Sequence, residues 1–337
     1  MERIAFSEYM RRWLYGPGGY YSRFKAIGKE GDFYTAVSTS RFFGATIAHA
    51  MIDRIRRGEL PADLLLLEIG AHQGYLLGDM IEWIAQEAPA FLPTMRFGIV
   101  ERFESLRKSQ RDYFARRFGE DVKLEHFGAP EEVEAEAVYA VANEIFDAFP
   151  CDLHYRGKTA LVDLQTHEVF FEGEDEEVLA LAKRYGQPKG EVARGYEAFA
   201  LAMAKMRTKK LCFVTFDYGE KEARTDFSLR IYHKHQVYPF FEEGLDRSKL
   251  FGVSDLTYDV NFSHLFDAFE GAGFKRTGYA TQLRALTEMG LPELLEMLAK
   301  LGDRTLYMRE LNKIKTLIDP QLMGERFKMA AFEREER

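Results

Sequence analysis

Leu64-Leu65-Leu66-Leu67-Glu68-Ile69-Gly70-Ala71-His72-Gln73-Gly74 is the stretch on which the fold turns. A short apolar run ends beside an acid. Two glycines follow, and then a helical pattern, Tyr75–Ala88, with apolar Leu76, Leu77, Met80, Ile81 and Ile84. Apolar residues in an unbroken run, rather than in alternation, predict a strand covered on both faces, as in a parallel sheet. Arg96–Glu101, Val138–Asn143 and Leu211–Asp217 read the same way, and Val122–His126 is a further candidate strand. A second helical pattern, Phe103–Phe118, carries Leu106, Tyr113, Phe114 and Phe118 on one stripe. Strand alternating with helix predicts right-handed crossovers and an α/β, Rossmann-like doubly wound sheet.

Outside this stretch the composition excludes several classes. The chain has 337 residues, 46% hydrophobic and 30% charged, which is globular and not disordered. Two cysteines, Cys151 and Cys212, allow neither a disulfide framework nor a Cys-rich zinc site. They fit a reducing compartment, and with no signal segment the expected location is cytoplasmic. No run approaches the ~20 apolar residues of a membrane span, so no membrane insertion is expected. A net charge of −8 argues against a nucleic-acid partner. Aromatic residues reach 14%, and many stand beside the segments discussed below, from Tyr20 and Phe42 to Phe146, Tyr218 and Phe240. Several of them are expected to line one shared cleft.

After Pro150 the alternation breaks. Leu153–Tyr155, Ala160–Leu164 and Glu168–Phe171 predict a small antiparallel meander, and Glu174–Tyr185 and Glu191–Met206 predict two helices. A helix from about Asn261, a strand at Phe274–Ala280, three helical segments and a last strand at Phe327–Phe332 follow. The expected organisation is a helical N-terminal lid (1–60), a first part of the core (61–150), an insertion (151–209), a second part of the core (210–280), a helical insertion (281–317), and a last strand and tail (318–337). His233-Lys234-His235 reads as extended, with both histidines on one face. No third ligand stands at metal spacing, and no metal is expected.

The chemistry sits at the ends of the strands. Glycines between strand and helix let a ligand approach the backbone and the helix N-terminus. The dinucleotide fingerprint would need Gly at 72 and 75, and no P-loop lysine follows. Glu68 precedes the glycine loop, where a carboxylate suits an ammonium or sulfonium group. Glu101 ends the next strand, where an acid can accept both hydroxyls of a ribose. S-adenosyl-L-methionine fits these features; NAD fits less well without the third glycine.

The order of motifs resembles the MidA family of S-adenosylmethionine-dependent methyltransferases, relatives of the mitochondrial complex I assembly factor that methylates protein arginine. The resemblance rests on Gly31-Asp32-Phe33-Tyr34-Thr35 with Ser40–Gly44, on Glu68–Gly74, and on Val100-Glu101 with Leu106-Arg107 and Gln110. It continues through Ala142–Pro150 (ANEIFDAFP), Phe216-Asp217-Tyr218-Gly219, Asp255–Phe262 and Ile318–Lys328. It covers nearly the whole chain. The sequence departs from the family at His72, usually glycine, at Gln73 and Tyr75, and at Phe227-Ser228-Leu229, where the family has Gly-Thr-Leu.

The resemblance implies a methyltransferase of the class I type whose cofactor is held by Gly31, Asp32, Thr35, Glu68, Gly70, His72, Gly74, Glu101 and Asn143. Asp32 is expected either to touch the cofactor or to cap the helix near Ser38–Ser40. Glu144 is expected to be the principal carboxylate orienting a guanidinium, with Asp147 and Asp217 supporting it and Tyr218 lining the site. The implied substrate is a protein, at an arginine side chain, with a respiratory complex subunit among the candidates. The oligomeric state is left open, a homodimer included. The altered glycine loop motivates a second class of function, an assembly or binding protein that keeps the fold with weak or no catalysis. A small-molecule methyltransferase is a third reading.

Overall fold

The computed structural model describes residues 2–22 and 35–336, and among them seven strands form the continuous path of an eight-stranded central sheet, with Val260–Asn261 pairing off that path beside Gly219–Glu220. The seven are β1 (Leu65–Ile69), β2 (Arg96–Val100), β3 (Leu124–Phe127), β4 (Ala137–Asn143), β5 (Lys210–Glu220), β6 (Lys275–Thr281) and β7 (Phe327–Glu335). Their spatial order is β6-β7-β5-β4-β1-β2-β3. The pairs from β3 across to β5 are parallel, and β6 and β7 are antiparallel. The expected doubly wound sheet is therefore present. All five residues of β1 are buried, which explains the unbroken apolar run. The chain runs from β1 outward to β3 and then returns to β4 on the other side of β1. That reversal opens a crevice at the carboxyl ends of β1 and β4, where such sheets take ligands. Ile69 pairs with Val100, and Asn143 with Phe216. One residue beyond each of these stand Gly70, Glu101, Glu144 and Asp217.

The chain divides into two compact units, and neither is a contiguous stretch. The sheet unit comprises Thr35–Glu144, Leu201–Asp217 and Ala272–Arg337. Its core packs Ile47, Met51, Leu76, Met80 and Ile84 with Leu286, Leu294 and Ile314. The second unit comprises Met1–Tyr34, Ile145–Ala200 and Tyr218–Gly271. It holds an antiparallel sheet of Arg3–Ala5, Cys151–Tyr155, Lys158–Asp163, Val169–Gly173 and Lys189–Ala193. It also holds a three-stranded sheet of Arg230–His233, Gln236–Pro239 and Asp255–Thr257. These boundaries cut across the expected segments: residues 35–60 belong to the sheet unit, and the early N-terminal residues to the second.

Three expectations need correction. Glu191–Met206 is not one helix; Lys189–Ala193 is a strand, and a helix spans Tyr196–Ala204. The strand is fixed by pairing with Cys151–Tyr155, Cys151 against Ala193, a long-range contact that local periodicity does not encode. The N-terminal region contributes a strand, Arg3–Ala5, paired with Lys158–Asp163, before its first helix, Phe6–Tyr15. His233-Lys234-His235 is not extended throughout: His233 ends a strand opposite Gln236, and Lys234 and His235 form the two-residue turn at φ 50° and 63°. Both histidines therefore do not share one strand face. The aromatics also divide between two cores. Phe43 stacks edge-on against Phe216 at 4.9 Å in the sheet unit, and Phe146 packs with Phe149, Tyr196 and Phe199 in the second.

Candidate active site

The glycine loop after β1 is built from left-handed residues: Gly70 (φ 70°), His72 (φ 46°) and Gly74 (φ 79°). Gly74 caps the helix Tyr75–Glu87 without a side chain. A Cβ there would meet the Phe114 ring at 2.9 Å, so glycine is required by contact as well as by conformation. His72 is half-buried and carries a Cβ in this conformation, at a cost of about 1 kcal/mol. Glu68 lies inside rather than facing an open edge: its Oε2 accepts from the Leu77 N–H at 3.0 Å, and burial pushes its pKa up to about 8. Through this bond Glu68 ties β1 to the first turn of the helix that follows the loop.

Glu101 is buried at the end of β2, and its Oε1 accepts from the Phe103 N–H at 2.9 Å. Burial raises its pKa. Asn143 ends β4 and donates from Nδ2 to Glu144 Oε1 at 2.8 Å. The Asn143 Oδ1 is buried and has no hydrogen-bond partner among the described residues. Glu144 is half-buried and left-handed at φ 53°, with its N–H bonded to the Phe216 carbonyl at 2.8 Å. The Ala36 N–H donates to the same Oε1 at 3.2 Å. A non-glycine residue held at positive φ by a strand bond and a fixed carboxylate is the kind of strain that functional sites store. Asp217 is fully buried in β5. Thr35 caps the short helix Ala36–Thr39 in a reciprocal pair with Ser38, so its side chain is committed to that turn. Gly31 and Asp32 lie outside the described residues.

The remaining expected residues lie in the second unit. The buried Tyr218 hydroxyl donates to the Asp147 carboxylate and bonds the Thr257 hydroxyl at 2.6 Å. Burial pushes the Asp147 pKa up, against the pull of Tyr218 and Arg230. The Arg230 guanidinium sits 4.7 Å above the Tyr218 ring and pairs with Asp259. The segment Phe227-Ser228-Leu229 is clamped by the buried Glu191, whose Oε1 accepts from the Ser228 and Leu229 N–H groups at 2.7 and 2.8 Å. Sequence reasoning missed Glu191, because it assigned that residue to a helix, and Arg230, which no motif marks. The structure also gathers His49, Asp53 and Glu87. Arg56 already pairs with both carboxylates, which removes the charge that would hold a cation.

The sheet unit fits S-adenosyl-L-methionine on its own geometry. Asn143 Oδ1 is a buried acceptor suited to an ammonium, Glu101 is a carboxylate at the end of β2 suited to ribose hydroxyls, and the loop between them brings backbone close to a ligand. A family model described as "Putative S-adenosyl-L-methionine-dependent methyltransferase" matches residues 46–280. The chain belongs to this family. The methyltransferase is 26% identical over 356 residues to "Protein arginine methyltransferase NDUFAF7, mitochondrial" of Danio rerio, covering 96% of this chain and 82% of that one. It is 26% identical over 370 residues to the protein of that name from Bos taurus, covering 97% and 79%. A Burkholderia thailandensis structure bound to S-adenosyl-homocysteine is 25% identical, with a TM-score of 0.79, covering 98% of this chain and 88% of that one. The methyltransferase thus uses S-adenosyl-L-methionine. No helix among its described residues is long and apolar enough to cross a membrane.

Proposed function

We propose that the methyltransferase modifies a protein at an arginine side chain. The observation that carries this is Glu144: a carboxylate at the sheet's ligand edge, in a strained backbone, with Oε1 fixed by Asn143 Nδ2 and Ala36 N–H. A guanidinium is a poor nucleophile because its charge is delocalised, and a carboxylate that pairs with two of its nitrogens turns the third towards an electrophile. Bound S-adenosyl-L-methionine supplies an activated methyl group. What the chain supplies is position: Asn143 and Ala36 hold Glu144, and Glu144 orients the acceptor nitrogen. The naming of the NDUFAF7 relatives as protein arginine methyltransferases supports the same acceptor class. The link to complex I assembly implied by the resemblance belongs to this proposal, and complex I subunits are the first acceptors to test. The cytoplasm is the proposed location, supported by two buried free cysteines.

The test is transfer of labelled methyl groups to complex I subunits and arginine-containing peptides, with the product identified by mass spectrometry. Glu144→Gln is expected to lower transfer by about a hundredfold while S-adenosyl-homocysteine affinity changes by less than about threefold. Equal transfer by that variant refutes the role of Glu144, and methylation of residues other than arginine refutes the acceptor.

A further inference from the structure

The cofactor loop is held from behind by one face of a neighbouring helix. Glu104–Phe118 carries three buried residues at positions 106, 110 and 114, a single stripe with a spacing of four. Two of them touch the loop. Phe114 lies against Gly74, and Gln110 Nε2 donates to the His72 carbonyl at 2.8 Å. Gln110 is fully buried. A carbonyl can only accept, so the amide's orientation is decided: its NH2 faces His72 and its Oε1 faces outward. That oxygen lies 2.8 Å from His126 Nε2, at β3. The His126 Nε2 must therefore carry the proton. Burial and the nearby Arg111 and Arg107 guanidinium groups hold its pKa down at about 4, so the neutral ring is the donor near neutral pH. The chain of bonds runs His126 Nε2–H to Gln110 Oε1, and Gln110 Nε2–H to His72 O.

We infer that Gln110 and His126 are positioning residues for the cofactor, acting through the His72 backbone. His72 is the non-glycine residue that the loop holds left-handed, between Gly70 and Gly74, and its conformation is the least favourable there. The carbonyl bond from Gln110 offsets that cost and sets the direction of the neighbouring N–H groups. The helix that supplies Gln110 and Phe114 begins three residues after Glu101, so the loop and the proposed ribose acid are referenced to one rigid element. The inference rests on cofactor binding at this loop.

The experiment is calorimetric titration of the full chain with S-adenosyl-homocysteine. Wild-type protein must bind, and failure there overturns the cofactor reading itself. Gln110→Glu keeps the volume and an oxygen for His126 but puts an acceptor against the His72 carbonyl. It is expected to weaken binding by about tenfold or more. Gln110→Met, which removes both bonds at similar size, should do the same. His126→Phe should weaken binding by about threefold, and the Gln110→Glu/His126→Phe pair should bind no worse than Gln110→Glu alone. A purely structural role would give additive losses. Binding within twofold of wild type in both Gln110 variants, or additive losses in the pair, overturns the inference. Should neither Gln110 variant fold, an unchanged affinity in His126→Phe does so.

Discussion

Glu68 and His126 titrate in opposite senses, and both shifts reach the stability of the sheet unit. The carboxyl of Glu68 moves from an ordinary 4.5 up to about 8 on folding. A group raised in the folded state contributes stability that is whole below its unfolded value and is lost as pH rises through its folded one. Glu68→Gln keeps an oxygen for the Leu77 N–H and has no proton to lose. Denaturant unfolding at pH 6 and pH 9 should therefore show wild type losing stability relative to the variant as pH rises. An unchanged difference would mean that Glu68 is ionised throughout. His126 moves from 6.5 down to about 4, so its contribution is whole above 6.5 and lost as pH falls towards 4. His126→Phe should flatten the acid side of the stability profile in that window. The acids at the strand ends were legible in the sequence because position in a strand is enough to place them at the edge. The direction each carboxyl faces was not. Glu68 turns inward because an orphan N–H in the first turn of the next helix is within its reach.

Two elements invite single tests. Lys234 and His235 occupy a two-residue hairpin turn with positive φ at both positions, where Asn-Gly is the pair most strongly preferred. Replacing the pair with Asn-Gly should stabilise the protein by about 0.5–1 kcal/mol, read as a higher denaturant midpoint at constant slope. Gly74→Ala carries the reverse prediction. A left-handed alanine with its Cβ 2.9 Å from the Phe114 ring should cost about 1–3 kcal/mol and weaken S-adenosyl-homocysteine binding together with stability. The elements that periodicity placed well, such as Tyr75–Glu87 and Glu104–Phe118, are those whose apolar stripe faces a sheet. Lys189–Ala193 was illegible because its five residues carry no period of their own; partners some forty residues away make it a strand.

At the scale of the molecule, the chain passes between its two units five times. Each unit is assembled from three separate stretches, so no continuous fragment contains one. A fragment of residues 145–200 should remain unfolded by circular dichroism; a cooperative transition in it would contradict this partition. In the full chain, S-adenosyl-homocysteine at about a hundredfold its dissociation constant should add about 2.7 kcal/mol and raise the midpoint of thermal unfolding by several degrees.

The sequence by itself determined the sheet class, the glycine loop, the row of strand-end acids and the family. These depend on short-range pattern: apolar runs, helical periods, and motifs whose residues are neighbours in the chain. Only the tertiary structure decided which atoms those residues face. Glu68 spends its carboxyl on Leu77, Glu144 receives Asn143 and Ala36, and Gln110 reaches His72 across 38 positions. A hydrogen bond is satisfied by whatever donor the fold brings within about 3 Å, and that distance is not written in residue order.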